Sequence, residues 1–275
     1  MHQYLNRVQS FNASFPADIW IGTGKIVKPQ DCREASVGFY KNFMDNMFRT
    51  SLEVYYKHMG NQMLFEGELT PVISTSPDTS LVFGEGQSYG AEFYFGKTKG
   101  KLTGWLAYTL SYSYQQFDSL NIGNPFPSAN DRRHSLYVSA NYALNHHWDI
   151  SSNFVLASGS TFTLFKNGSS WPYDPLFYDD VTGSKDADGA TDNRVQNNFR
   201  LSPYNRLDIS IRYKNQRELP KRVIRTEWVF SVYNAYAHAN TYFAYCSVDP
   251  VTKAPEAVEV SFVPIIPSLS FYLKF

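Results

Sequence analysis

Hydrophobic and polar residues alternate with a period of two along most of the chain. In residues 102–115 the even positions, from Leu102 to Tyr114, are mostly large and apolar. The odd positions, from Thr103 to Gln115, are mostly small and polar, with Trp105 the one large exception. Because successive side chains of a strand point to opposite faces, this pattern predicts a strand with one apolar and one polar side. A helix would scatter the same polar residues around its whole circumference.

The same alternation recurs along the chain and predicts nine strands. They cover residues 31–42, 46–65, 87–96, 101–117, 132–143, 147–165, 204–213, 222–247 and 257–275. Several exceed the usual strand length of about 5–6 residues and fit the roughly 9–11 residues of a tilted membrane strand.

The connections between these predicted strands alternate between short and long until the last pair. Their ranges are 43–45, 66–86, 97–100, 118–131, 144–146, 166–203, 214–221 and 248–256. In an up-and-down antiparallel sheet, alternate connections emerge at the same end, so one end carries tight turns and the other long loops. This asymmetry is typical of outer-membrane barrels and is not expected of a β-sandwich.

The predicted fold is therefore all-β: an antiparallel up-and-down transmembrane β-barrel segment of about nine strands. Bacterial single-chain barrels have even numbers of strands, so an odd number indicates an incomplete barrel.

Composition excludes several classes of protein. The chain has 25 basic and 25 acidic residues, so the basic excess of a nucleic-acid-binding protein is absent. Aromatic residues make up 17%, which excludes a disordered chain. No apolar run approaches the roughly 18 residues of a membrane helix, and the first residues lack the apolar core of a signal peptide. The mean hydropathy of −0.37 remains compatible with a membrane barrel, whose strands alternate.

The longest predicted loop, 166–203, combines aromatic and acidic residues. Its aromatic residues are Trp171, Tyr173, Phe177 and Tyr178. They either stack on a ligand or pack the loop against its neighbours, and the pattern is compatible with both. The acidic stretch 179–192 has the oxygens that Ca²⁺ prefers but departs from the EF-hand pattern, so a solvated loop is the favoured interpretation.

No catalytic constellation, metal-ligand spacing or cofactor motif is identifiable, so the sequence predicts no enzyme and no cofactor. The two cysteines, Cys32 and Cys246, are too few for a disulfide framework, and whether they pair is left open.

The end of the chain resembles the terminal strand of bacterial outer-membrane barrels. Apolar residues alternate at Leu269, Phe271, Leu273 and Phe275, with the phenylalanine as the last residue. This resemblance implies that the barrel-assembly machinery of the outer membrane reads these four residues.

Three more segments resemble TonB-dependent receptors of the outer membrane, in the style of Bacteroidetes-type sequences. They are Gly-Glu-Gly-Gln-Ser-Tyr-Gly-Ala-Glu (84–92) with Leu-Thr-Gly-Trp (102–105), Asn-Asp-Arg-Arg-His (130–134), and Phe-Ser-Val-Tyr-Asn-Ala-Tyr (230–236) with Phe-Val-Pro-Ile-Ile-Pro (262–267). Lys-Pro-Gln (28–30) also fits, and the resemblance covers roughly 20–275 in the right order.

The resemblance implies the C-terminal portion of an outer-membrane barrel domain over residues 1–275, with 1–30 a remnant of an extracellular loop or strand. In the family the barrel has about 22 strands and an N-terminal plug. No segment of the sequence resembles the plug, the TonB-contacting segment or a signal peptide.

Charged residues on the polar strand faces are then expected to face the barrel lumen. They are Glu53, Glu92, Arg206, Asp208 and Arg212. These residues either solvate and ion-pair the interior, contact the plug, or line a substrate path. Lumens are polar whatever the substrate, which favours the structural interpretation.

The expected function is import of a scarce nutrient across the outer membrane with energy from TonB. The implied partners are outer-membrane lipid, the barrel-assembly machinery, TonB and the plug, and an unknown small-molecule or oligomeric nutrient; nucleic acid is not expected. The alternative is a non-transporting outer-membrane barrel, structural or adhesive, whose long loops bind partners. A soluble β-rich enzyme would leave the sorting of the loops unexplained.

Overall fold

The computed structural model describes residues 2–3, 5–8, 19–65, 81–163, 196–219, 222–249, 251–252, 255–261 and 264–274, and all structural statements concern these residues. Its strands are β1 (His2–Gln3), β2 (Leu5–Val8), β3 (Ile19–Gly22), β4 (Gln30–Phe43), β5 (Phe48–Phe65), β6 (Leu81–Lys97), β7 (Leu102–Phe117), β8 (Phe126–Pro127), β9 (His134–Ala143), β10 (Trp148–Ala157), β11 (Thr161–Phe162), β12 (Phe199–Arg200), β13 (Tyr204–Leu219), β14 (Arg222–Tyr233), β15 (Thr241–Val248), β16 (Pro255–Ser261) and β17 (Ile266–Lys274). One 3₁₀ turn covers Asn121–Gly123. Within the described ranges, no helix has the length and apolar character needed to cross a membrane.

In the part of the chain that the structure describes, nine long strands form one antiparallel wall in the order β4-β5-β6-β7-β9-β10-β13-β14-β17. At one end β1 adds two residues beside β4, and β8 pairs with β7. The wall does not close on itself within the described residues. The all-β prediction of an incomplete, up-and-down antiparallel sheet is confirmed.

The strand register places the alternating residues on two continuous faces. Ile211, Phe230 and Leu269 stand side by side on one face, which we call the apolar face. On the opposite, polar face Ser210 stands beside Ser231, and Ser231 beside Ser268. The apolar face is open: Phe230 is 47% exposed and Leu269 65%. Large exposed apolar surfaces of this kind are typical of sites of membrane or protein contact.

Two predicted strands are wrong at the end of the chain. The strand predicted at 222–247 is β14 and β15, separated by a bend in which Asn234 (φ 53°) and Ala237 (φ 55°) leave the β region. The strand predicted at 257–275 is likewise β16 and β17. Between them lies Pro264, which has no N–H for a ladder bond. As a result β15 and β16 form a separate hairpin outside the wall.

The predicted loop 214–221 is also wrong, because β13 continues to Leu219 and β14 begins at Arg222. The predicted strand 147–165 ends early, at Ala157, and the predicted strand 87–96 begins early, at Leu81. With these corrections the alternation of connections is complete. The short connections are 44–47, 98–101, 144–147 and 220–221, and the long connections are 66–80, 118–133, 158–203 and 234–265.

Glycines on the polar face admit tyrosine rings beside the backbone. A Cβ on Gly38 would lie 2.7 Å from the ring of Tyr40, and one on Gly90 would lie 2.9 Å from the hydroxyl of Tyr55. The tyrosine rings thus pack over the backbone at these glycines, which have no side chain of their own. This packing stabilises the strands at positions where glycine would otherwise weaken them.

Gly84→Ala is expected to lower the free energy of unfolding by about 1–3 kcal/mol. A Cβ at Gly84 would lie 2.2 Å from the carbonyl oxygen of Gln116 and 2.6 Å from the ring of Phe117, so the ladder between β6 and β7 must shift. Gly86→Ala is the matched control on the same strand. Its nearest contact, 3.0 Å away, is the flexible end of Met59. Thermal unfolding in detergent measures both variants, and equal midpoints would contradict the argument.

Candidate ligand-facing site

The long-loop end of the polar face holds a cluster around Arg206, here called the Arg206 cluster: Tyr204, Arg206, Asp208 and Tyr233. Arg206 and Asp208 lie two residues apart on β13 and therefore on the same face. The Arg206 guanidinium donates from Nε to Asp208 Oδ2 at 3.1 Å, and from Nη1 to the hydroxyls of Tyr204 (2.9 Å) and Tyr233 (2.8 Å). It also lies 4.3 Å from the ring centroid of Tyr233. The cation is thus neutralised and held in one orientation.

Asp208 connects the Arg206 cluster to the bend that ends β14. Its Oδ1 accepts a hydrogen bond from the backbone N–H of Asn234 at 3.0 Å. The fully buried side chain of Asn234 donates in turn to the carbonyl oxygens of His238 (2.9 Å) and Pro264 (3.3 Å). One carboxylate on the wall therefore fixes the bend that directs the chain into the β15–β16 hairpin.

Glu259 attaches that hairpin to the start of β13. Its carboxylate accepts hydrogen bonds from the backbone N–H of Ser202 (2.9 Å), the hydroxyl of Ser202 (3.1 Å) and the hydroxyl of Thr241. Partial burial raises the pKa of Glu259, but these hydrogen bonds outweigh it and hold the pKa below the ordinary value of 4.5. Glu259 lies outside the nine strands of the wall.

Acidification is therefore expected to loosen the β15–β16 hairpin. Because the folded state lowers the pKa of Glu259, its stabilisation is complete above pH 4.5 and is lost as the pH falls through the lowered value. Hydrogen exchange of residues 241–248, corrected for intrinsic rates, should show protection falling in this window. The control Glu259→Gln has no titrating group and should remove this pH dependence. Retention of the same profile in Glu259→Gln would show that another group is responsible.

A second group of bonds, the Asp131 network, joins two of the long connections. Asp131 is 1% exposed and accepts a hydrogen bond from the N–H of Ser113 at 2.9 Å. Arg200 Nη2 pairs with the same carboxylate, while Arg200 Nη1 donates to the carbonyl oxygens of Asp131 and Gly159, both at 2.8 Å. The Nε of Arg133 lies 3.7 Å from Asp131 Oδ2. A buried anion between two cations thus joins connections 118–133 and 158–203.

The remaining predicted polar-face residues lie apart from the Arg206 cluster. Glu53 and Glu92 are direct partners in the β5–β6 ladder, separated from β13 by β7, β9 and β10. The hydroxyl of Tyr40 donates to Glu53 at 2.6 Å and offsets part of the repulsion expected between opposed carboxylates. Arg212 is exposed on the polar face beside Asp149, whose carboxylate pairs with Lys214.

Several predicted residues lie outside the described residues. These are the loop aromatics Trp171, Tyr173, Phe177 and Tyr178, the acidic stretch 179–192, and Phe275. Of the four alternating apolar residues at the chain end, the structure describes Leu269, Phe271 and Leu273, which are exposed on the apolar face of β17.

Sequence reasoning missed Arg200 and Glu259, and it quoted Asp131 only as part of a motif. The single available signal for Asp131 is the carboxylate within Asn-Asp-Arg-Arg-His (130–134). Its partner Arg200 lies 69 residues further along the chain, where no local pattern connects the two.

Comparison with solved structures finds the same architecture in larger iron receptors. The ferripyoverdine receptor of Pseudomonas aeruginosa aligns with a TM-score of 0.52 at 13% identity, over 89% of this chain and 27% of that one. BauA, the ferric preacinetobactin receptor of Acinetobacter baumannii, aligns with a TM-score of 0.52 at 11% identity, over 100% and 33%. The ferric-catecholate import receptor Fiu of E. coli K12 aligns with a TM-score of 0.50 at 13% identity, over 97% and 31%.

The chain therefore spans about a third or less of each of these receptors, and identities this low show the fold alone. No curated protein sequence matches the chain. The family described as "TonB dependent receptor-like, beta-barrel" matches residues 7–235, which is most of the chain. With that match and the wall described above, this protein belongs to the TonB-dependent receptor-like β-barrel family.

Proposed function

We propose that the whole protein is an outer-membrane receptor that binds a scarce nutrient outside the cell and imports it with energy from TonB. In this proposal the chain supplies the C-terminal part of the barrel wall, and a plug domain occupies the lumen. The observation that carries the proposal is the open, continuous apolar face opposite a polar one. A wall of this kind is stable where lipid covers one side and water or protein the other.

Aromatic residues at both ends of the apolar face support its contact with lipid. At the turn end, Trp148 lies 4.9 Å from Tyr213 and Trp228 lies 4.6 Å from Phe271, centroid to centroid. Tryptophan and tyrosine favour the headgroup level, because one part of each side chain is apolar and another polar.

At the loop end, Tyr56, Tyr89 and Tyr112 stand in one register row. On β5, Tyr56 lies eight positions after Phe48, which stacks on Phe43 at the turn end. Eight residues span about 26 Å along a strand, or about 20 Å across the membrane at a tilt of about 40°. This height fits the roughly 25 Å apolar band of outer-membrane barrels.

The polar face then lines the lumen, with Glu53, Glu92, Arg206, Asp208 and Arg212 directed toward the plug and the substrate path. The loop aromatics Trp171, Tyr173, Phe177 and Tyr178 are proposed to contact the nutrient at the mouth. The terminal residues Leu269, Phe271, Leu273 and Phe275 are proposed to be read by the barrel-assembly machinery.

TonB-dependent uptake by the full-length receptor tests this function. The structural neighbours are named for ferric siderophores, so iron-55 siderophores are assayed first, followed by labelled vitamin B12 and oligosaccharides. We expect at least one to accumulate in cells with TonB and none in cells without it. A receptor that reaches the outer membrane but takes up none of them would favour the non-transporting barrel.

A further inference from the structure

A cavity of about 290 Å³ lies beyond the tyrosine row at the loop end of the wall. It is lined by Glu85, Gln87, Tyr89, Tyr114, Gln115, Gln116 and Pro125. In the β6–β7 ladder Glu85 pairs with Gln116, Gln87 with Tyr114 and Tyr89 with Tyr112. All six of these residues share the face of Phe93 and Tyr108, so the cavity opens on the apolar side of the wall.

The chemistry of the apolar face changes abruptly at this cavity. From the row of Tyr56, Tyr89 and Tyr112 toward the turns, the face is apolar; beyond it, Gln87 and Glu85 replace apolar residues. A tyrosine row marks the headgroup level of a membrane. The cavity therefore lies at the depth where the polar part of an outer-leaflet lipid meets the wall.

The lining residues match a hydroxyl-rich ligand. The carboxylate of Glu85 accepts hydrogen bonds, the amides of Gln87 and Gln116 donate and accept them, and sugar hydroxyls do both. Gln116 Nε2 donates to the carbonyl oxygen of Gly123 at 2.9 Å, which fixes that amide at the cavity. The rings of Tyr89 and Tyr112 stack at 5.4 Å and form a flat apolar surface beside these polar groups.

The charge inside the cavity disfavours an anionic headgroup. Among the described residues of the lining, Glu85 is the only charged one, and it is acidic. His58 Nε2 lies 3.9 Å from Glu85 Oε2. At the rim, Arg133 donates to the hydroxyl of Tyr114 at 3.4 Å and lies 5.2 Å from the ring centroid of Tyr112. It shares the carboxylate of Asp131 with Arg200, so its charge is offset only in part. A phosphate would therefore meet a carboxylate inside the cavity, whereas a neutral sugar would not.

We propose that this cavity binds the sugar headgroup of a neutral glycolipid in the outer leaflet. The inference rests on the contact between the apolar face and lipid, and not on transport. A lipid bound there would hold the wall at a fixed depth in the membrane.

Native mass spectrometry of the full-length receptor tests the site. The receptor is released from nanodiscs that contain equal amounts of monoglucosyl diacylglycerol, phosphatidylethanolamine and phosphatidylglycerol. We expect the glycolipid to be retained about fivefold over phosphatidylglycerol, as two neutral hydrogen bonds allow. Equal or greater retention of phosphatidylglycerol would overturn the proposal.

Variants on β6 locate the binding. Gln87→Ala alone, and together with Glu85→Ala, should remove most of the preference, while Ser88→Ala, between them on the polar face, should leave it intact. Preference that survives in Gln87→Ala and the double variant would place the lipid elsewhere. Complete displacement by soluble maltose at millimolar concentration would instead identify a site for free sugars. None of these outcomes depends on TonB-driven uptake, so the site and the proposed function fail separately.

Discussion

Replacing Ile209 by arginine is expected to prevent most of the receptor from assembling in the outer membrane. Ile209 lies on the apolar face between Ser152 and Val232 and is 38% exposed. It is four residues, or about 13 Å along the strand, from the aromatic level at Tyr213. This position lies near the middle of the apolar band, where a lipid-facing arginine costs about 2–4 kcal/mol.

The control is Ser210→Arg, the next residue on the same strand. Ser210 lies on the polar face between Ser151 and Ser231. In the proposed function this face lines the lumen, so an arginine there should remain in an aqueous or protein-filled space. Heat-modifiable gel migration of outer-membrane fractions measures the assembled receptor. Equal assembly of the two variants would mean that the faces of the wall are assigned incorrectly.

Asp131→Asn is expected to lower the free energy of unfolding by about 2–3 kcal/mol. Asparagine keeps an oxygen for the N–H of Ser113 but removes the charge that faces Arg200 and Arg133. This expected loss of stability is smaller than for a fully buried ion pair, because the Arg200 side chain is 30% exposed. Loss of the network should also release connection 118–133 for proteolysis.

Arg132→Ala is the matched control for Asp131→Asn, because the Arg132 side chain is exposed at the adjacent position. Its effect should stay within about 0.5 kcal/mol. Thermal unfolding in detergent and limited trypsin digestion measure both variants. If Asp131→Asn unfolds at the same temperature as Arg132→Ala, the network does not stabilise the loop end.

The period-two pattern predicts the wall because each strand has different surroundings on its two sides. In β7 the alternation runs from Leu102 almost to Phe117, and the predicted strand ends within one residue of the observed one. The pattern fails where both sides of a strand are polar. Residues 214–219 of β13 were predicted as a loop for that reason. In the structure they pair with β14, and Leu219 and Arg222 form the last pair of the ladder.

The pattern also fails where aromatic residues continue past a bend. The alternation of β14 continues into β15, so nothing in it indicates that Asn234 turns the chain out of the wall. The structure shows why: the bend is fixed by Asp208 and by the carbonyl oxygen of Pro264, which are both distant in sequence.

Among the candidate site residues, too, only those close together in sequence could be predicted to lie side by side. Arg206 and Asp208 were predicted on one face because they are two residues apart on one strand, and they form an ion pair. Asp131 and Arg200 belong to different connections, and their meeting depends on the order of β7, β9, β10 and β13 in the wall. Long-range pairs of this kind require the fold before they can be recognised.

The exposure of β13 to lipid, measured one residue at a time, decides whether this sheet is a membrane wall. Spin labels at single cysteines from Leu207 to Tyr213, in the full-length receptor in bilayers, report collision with oxygen, which concentrates in lipid, and with a water-soluble nickel chelate. We predict a period of two, with oxygen maxima at Leu207, Ile209, Ile211 and Tyr213 and low values at Asp208, Ser210 and Arg212. Oxygen maxima at Asp208, Ser210 and Arg212, or no periodicity, would show that the apolar face of this sheet does not contact lipid.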